Sequence, residues 1–192
     1  DGRYFVQAEK ELNGSRIELF KLGNEGVPTI PEYIFKTGKK GVRIGFDGRI
    51  LRKFYVDRML NCCQELEPVL VCEEDIAGKL WEGRPLLSKE EVFVLPKEYR
   101  DRSIEEKTSL VREKMEEEHA DFIFVSKLDD IMWFLGVRGN DVECNPVALS
   151  YMFLTKEKTY FFVQKDALSP KAAEYLAENG VLMREYNDVF RF

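Results

Sequence analysis

The sequence predicts an α/β fold in two portions, each a mixed sheet flanked by helices. Three observations point there. Apolar runs of strand length alternate with segments of helical period along the whole chain. A proline- and charge-rich stretch without period interrupts that alternation near the middle. No apolar run approaches the roughly 20 residues of a membrane-spanning helix. With 192 residues, 44% hydrophobic and 33% charged, the chain can fill two small cores and has the composition of a soluble globular protein rather than a disordered one.

In the first portion Phe5, Val6, Ala8 and Leu12 give residues 3–12 an amphipathic helix, stopped by Asn13-Gly14-Ser15. Ile17, Leu19 and Leu22 predict a strand over residues 16–22, followed by a loop to Pro28. A short helix is expected at residues 31–36, a strand at 42–46 and a helix over 52–66 carrying Phe54, Tyr55, Met59, Leu60 and Cys63, ended by Pro68. Val69-Leu70-Val71-Cys72 reads as a compact buried strand, and residues 75–81 as a short helix capped by Glu74 or Asp75. Residues 84–102, with Pro85 and Pro96 and many charges, read as a linker, which sets the expected domains at residues 1–83 and 103–192.

The second portion carries clearer punctuation. Ser103 and Glu106 make a capping box before a helix with Ile104, Leu110, Val111 and Met115 on one face. Residues 121–125, near-continuously apolar, predict a strand covered on both sides. Ser126 and Asp129 repeat the capping pattern ahead of a short helix ending at Gly136. Residues 150–154 and 159–163 form a hairpin about Lys156-Glu157-Lys158, and Ser169-Pro170 opens a helix that Gly180 closes before a strand over 181–186. A short echo, Tyr4-Phe5-Val6-Gln7 against Phe161-Phe162-Val163-Gln164, suggests that the two portions share one fold.

Net charge of −6 and a pI near 5.1 argue against nucleic acid, whose phosphates demand a basic face. The start has neither the basic nor the apolar region of a signal peptide, so the chain is read as cytoplasmic. It opens on Asp1 directly before an amphipathic pattern, and the natural protein is expected to begin further upstream. Cys62, Cys63, Cys72 and Cys144 lack C-x-x-C spacing and read as reduced, mostly buried thiols.

Residues with chemical potential are few. The lone His119 follows Glu116-Glu117-Glu118 at a helix end, where an imidazole meets the dipole more readily than it meets a triad or a zinc site. Asp129-Asp130 can be drawn as paired carboxylates, but a first helical turn favours acids on dipole grounds alone. Arg138-Gly139-Asn140-Asp141 with Asn145-Pro146 is the most distinctive polar stretch, suited to pinning a loop and, less readily, to clamping a carboxylate. Gly41, Gly45 and Gly48 do not make a phosphate loop.

Taken together, these stretches resemble a known family. Asp1-Gly2-Arg3-Tyr4-Phe5 with Gln7-Ala8-Glu9, then Gly26-Val27-Pro28-Thr29, Gly45-Phe46-Asp47, and Lys79-Leu80-Trp81 with Arg84-Pro85, are similar to the first N-terminal domain of aminopeptidase P. Leu128-Asp129-Asp130-Ile131, Trp133, Arg138-Gly139-Asn140-Asp141-Val142 and Asn145-Pro146-Val147 with Ser150-Tyr151 are similar to its second. The resemblance implies two similar creatinase/prolidase N-terminal-type domains, the first truncated at its start. They precede a catalytic domain, expected beyond Phe192, that holds two divalent metal ions, manganese by expectation.

It further implies an Xaa-Pro aminopeptidase that removes an N-terminal residue preceding proline, with this part contributing substrate gating and subunit contacts in a homodimer. No catalytic residue and no metal ligand is assigned to this chain, and no cofactor is expected within it. Arg3 is the implied contact to a proline-containing peptide substrate, and Arg138, Asp141 and Asn145 are assigned to the face meeting the chain's own C-terminal catalytic domain. The expected partners exclude nucleic acid and membrane. The alternatives are a free-standing binding or scaffold module without a peptidase domain, and a small cysteine hydrolase.

Overall fold

The computed structural model describes residues 2–192. They divide into two compact units, Asp1–Arg84 and Pro85–Phe192.

The first unit is built around one parallel strand pair. Helix α1 (Gly2–Glu11) has no buried residue, and α2 (Ile30–Thr37) begins at a full capping box in which Thr29 Oγ1 accepts from the Glu32 amide while the Glu32 carboxylate accepts from Thr29 N at 2.7 Å. Strand β1 (Arg43–Gly45) leads through α3 (Lys53–Cys62) to β2 (Val69–Val71), pairing Ile44 with Leu70 in parallel register. A short helix α4 (Ile76–Leu80) follows, capped by the Asp75 carboxylate, which accepts from Gly78 N at 2.7 Å. Past the strand ends the two chains stay in contact at Gly48, where a Cβ would sit 2.9 Å from the Cys72 carbonyl. Among the described residues of this unit, only Ile44, Met59 and Cys63 are buried apolar side chains.

Two expectations fail here. Residues 16–22 form no strand: Ile17 and Leu22 lie exposed and no described segment offers a ladder, so apolar alternation has nothing to pair with. Phe20 instead meets Tyr33 edge-on with centroids 5.3 Å apart. Strand β2 is half-exposed rather than buried, because it has one neighbour and little above it.

The second unit holds the larger core. Its sheet runs β4 (Phe122–Val125), β6 (Ser150–Thr155), β7 (Thr159–Val163), β8 (Val181–Glu185), antiparallel except for the parallel β7–β8 pair, which α7 (Pro170–Glu178) connects. The β6–β7 hairpin aligns Met152 with Phe161. Helices α5 (Ile104–Glu117), α6 (Leu128–Leu135) and α7 contribute Met115, Ile131, Leu135 and Leu176 to a core that also contains Met152, Leu154 and Phe161. The Ser103–Glu106 capping box forms as expected, and Gly136 ends α6 in the left-handed region at φ 64°.

The stretch expected to be a linker is part of this unit. Strand β3 (Phe93–Val94) pairs antiparallel with β5 (Val137–Arg138), Val92 bridges Leu168 and is fully buried, and Val92 N donates to the Ala167 carbonyl at 2.8 Å. Two prolines and scattered charge concealed a strand only two residues long. Three smaller readings also change. Ser126 does not cap α6: Lys127 holds the N-cap position without a side-chain cap, its ammonium bonding Asp130 at 3.0 Å. Strand β4 is an edge strand with Phe122 and Phe124 exposed, so it is covered on one side only. Of the four thiols only Cys63 is buried, while Cys72 and Cys144 are exposed. The four-residue echo is helical at residues 4–7 and strand at 161–163, so one local pattern serves two conformations and identifies no repeat.

Candidate functional site

Arg3 lies in the first turn of α1, a turn without acidic residues, where a cation works against the helix dipole.

The Arg138–Asn145 loop is the most tightly built polar feature of the second unit. Arg138 donates from Nη1 to the carbonyls of Met132 at 3.0 Å and Val137 at 2.8 Å, closing the C-terminal end of α6. Gly139 is required by a close approach: a Cβ there would stand 2.8 Å from the Ala148 Cβ and 3.1 Å from its backbone. Asp141 spans two segments, accepting from Glu90 N at 3.1 Å and Leu149 N at 2.8 Å. Asn145 N donates to the Val142 carbonyl at 3.1 Å and the Asn145 carbonyl accepts from Val147 N at 2.7 Å, a turn that places Cys144 at φ 59°. Arg138, Asp141 and Asn145 are thus gathered in one loop, and the recorded bonds of all three hold backbone.

Sequence reasoning assigned no role to an ion-pair network at the C-terminal ends of β1 and β2. Arg49 binds the Asp47 carboxylate through Nε at 2.9 Å and Nη2 at 2.6 Å, and its Nη2 lies 3.4 Å from Asp75, which also pairs with Arg84. The Arg49 hydrogen bonds hold the Asp47 carboxyl down to about 2, and the Gly78 amide followed by Arg84 lowers that of Asp75. The visible signal was Asp47-x-Arg49 just past a parallel strand, where polar groups of an α/β sheet collect. Lys107 was missed too. It is 2% exposed, donates to the Trp133 carbonyl at 2.7 Å and stands 4.4 Å from the Trp133 ring centroid. Its place on the Ile104, Val111, Met115 stripe was the clue.

His119 follows α5 in the left-handed region at φ 53° and shares a cleft with Arg112, Glu116 and Lys156. Asp129 and Asp130 occupy the first turn of α6. A polar cleft of about 560 Å³ includes Arg100, which donates to the Tyr175 hydroxyl and stacks 5.0 Å over its ring. Among the described residues no three of His, Cys, Asp and Glu converge as metal donors.

The fold and its polar clusters define a class, a mixed α/β protein whose charged side chains chiefly fix loops and strand ends. Residues 83–192 match the model of the Creatinase/Prolidase N-terminal domain, and the chain belongs to that family. Over its full length it is 32% identical to the "Probable Xaa-Pro aminopeptidase P" of Neurospora crassa and 33% identical to the "Xaa-Pro aminopeptidase 1" of Dictyostelium discoideum, covering 28% and 32% of those proteins. It superposes over 100% of its length, with TM-score 0.88 and 28% identity, on 31% of the X-prolyl aminopeptidase of Caenorhabditis elegans, described as a cytosolic enzyme with a di-nuclear active site. The chain spans about a third of the length of these relatives.

Proposed function

We propose that this chain is the non-catalytic N-terminal region of a metal-dependent Xaa-Pro aminopeptidase, contributing substrate gating and subunit contacts to an enzyme that removes an N-terminal residue preceding proline. The observation that carries this reading is the end-to-end structural match to about a third of the C. elegans enzyme. The di-nuclear centre named for that enzyme needs clustered donors, and among the described residues His, Cys, Asp and Glu do not converge in threes. In this reading the parent protein is a cytoplasmic homodimer and its two ions, manganese by expectation, belong to a catalytic domain following Phe192. Such a centre supplies an activated water and a Lewis acid at the scissile carbonyl.

Arg3 offers its guanidinium to a carboxylate or carbonyl of the peptide. Arg138, Asp141 and Asn145 shape the loop that meets the catalytic domain. The test is hydrolysis of an Xaa-Pro peptide with manganese. The product of the whole reading frame cleaves it and the 192-residue chain does not; cleavage by the short chain, or none by the long one, overturns the proposal. In the active protein Arg3→Ala raises KM about tenfold, roughly 1.4 kcal/mol, with kcat little changed. An unchanged KM removes Arg3 from the substrate path.

A further inference from the structure

The second unit contains a cleft whose charge runs against that of the chain, which carries 35 acidic and 29 basic residues. At the start of α5 a cleft of about 560 Å³ is lined by the cations Lys97, Arg100 and Arg102 and by the acids Asp101, Glu105 and Glu106. Two of the three carboxylates are committed elsewhere. Asp101 lies 3.3 Å from the buried ammonium of Lys107, and Glu106 accepts from Ser103 N at 2.7 Å in the capping box. That cap holds the Glu106 carboxyl below its ordinary value, with a smaller contribution from Arg102. Among the described residues none of the three cations has an ion-pair partner, so Glu105 alone is left to oppose them.

Arg100 anchors the site. Its Nη1 donates to the Tyr175 hydroxyl and its guanidinium stacks on that ring, which fixes the plane of the fork. Its Nε is buried without an acceptor, and its Nη2 donates to no described residue. Buried donors are ordinarily met, and a partly desolvated guanidinium with no carboxylate beside it has its charge uncompensated. An oxyanion in the cleft supplies that compensation. The Tyr175 hydroxyl, having accepted from Arg100, still has its own hydrogen to donate. The 14-residue helix α5 adds the positive end of its dipole, but Ser103 already caps it, so the helix supplements the side chains and does not replace them. The neighbouring cleft that shares Lys97, Arg100 and Tyr175 adds Lys171 together with Glu174 and Glu178, which leaves it the less cationic of the two.

We propose that the cleft at the start of α5 binds a phosphate group, with Arg100 and Arg102 gripping its oxygens and Lys97 adding charge. Arginine forks suit a tetrahedral oxyanion because two parallel N–H groups meet two oxygens at once. The volume leaves room for the organic remainder of a phosphomonoester. The site lies within the second unit and does not rest on the peptidase reading.

The test is a titration of the 192-residue chain with sodium phosphate and, separately, with glycerol 2-phosphate, followed in nitrogen–proton correlation spectra against sodium chloride of matched ionic strength. The amides of Arg102, Ile104 and Glu105 shift saturably, with a Kd below about 1 mM. Equal affinity for the two probes makes the phosphate ion itself sufficient; tighter binding of glycerol 2-phosphate assigns the site to a phosphomonoester. Arg102→Gln and Lys97→Gln, both at exposed positions, each weaken binding about tenfold, the loss of one charge-assisted hydrogen bond, without altering thermal unfolding. Lys171→Gln in the neighbouring cleft leaves the Kd unchanged. Shifts that chloride reproduces, that centre instead on Arg112, His119 and Lys156, or that are indifferent to both substitutions overturn the proposal.

Discussion

At the scale of single residues, charge and backbone pinning are the features with measurable consequences. Asp47 is held near 2 in the folded protein against an ordinary 3.8, chiefly by hydrogen bonds from the Arg49 side chain and amide. A depressed carboxyl contributes stability that is complete above its unfolded value and lost as pH falls through the folded one. The window is therefore about pH 4 to 2. Asp47→Asn lowers the urea midpoint at pH 6, and its deficit against the native chain narrows below pH 4; a deficit independent of pH dismisses the ion pair. Asp141 acts through its backbone hydrogen bonds. Asp141→Ala leaves the Glu90 and Leu149 amides without their acceptor, a cost of about 1–3 kcal/mol that shows as a lower Tm in thermal unfolding.

At the scale of elements, the punctuation in the sequence decided what was legible. Ser103 with Glu106, Ser169 with Pro170, and Gly136 at a helix end announce themselves because capping chemistry is local. The Arg138–Asn145 loop was legible as a pin, since Gly, Asn and Asp state their turn preferences in place. Strand β3 and the failed strand at residues 16–22 were not, because pairing depends on a partner far along the chain and neither segment names it. Lys107 shows the same limit: a charged letter in an apolar stripe is explained by the Trp133 carbonyl 26 positions away together with the Asp101 carboxylate at 3.3 Å. The integration of β3 has a direct test. A shortened chain beginning at Ser103 loses Val92 and the partner of β5, and its Tm falls by several degrees against one beginning at Pro85, since burying a Val side chain is worth about 1.5–3 kcal/mol. Equal Tm values return residues 85–102 to the status of a linker.

For the whole molecule, apolar burial is unequally divided. Among the described residues, nineteen of the 22 buried hydrophobic ones lie from Val92 onward, and the first unit has three. Its exposed apolar side chains include Tyr4, Val6, Ile17 and Ile30, with an apolar cleft of about 280 Å³ between Ile30, Leu51, Tyr55 and Met59. Local opening free energy follows buried contact, so the two units of the isolated chain lose protection at different rates. In hydrogen exchange the amides of β1 and β2 exchange at least tenfold faster than those of β6 and β7, and a urea titration resolves two transitions, the first reported by Trp81 and the second by Trp133. A single cooperative transition, with uniform exchange across both units, shows that the first draws stability from contacts beyond its own thin core.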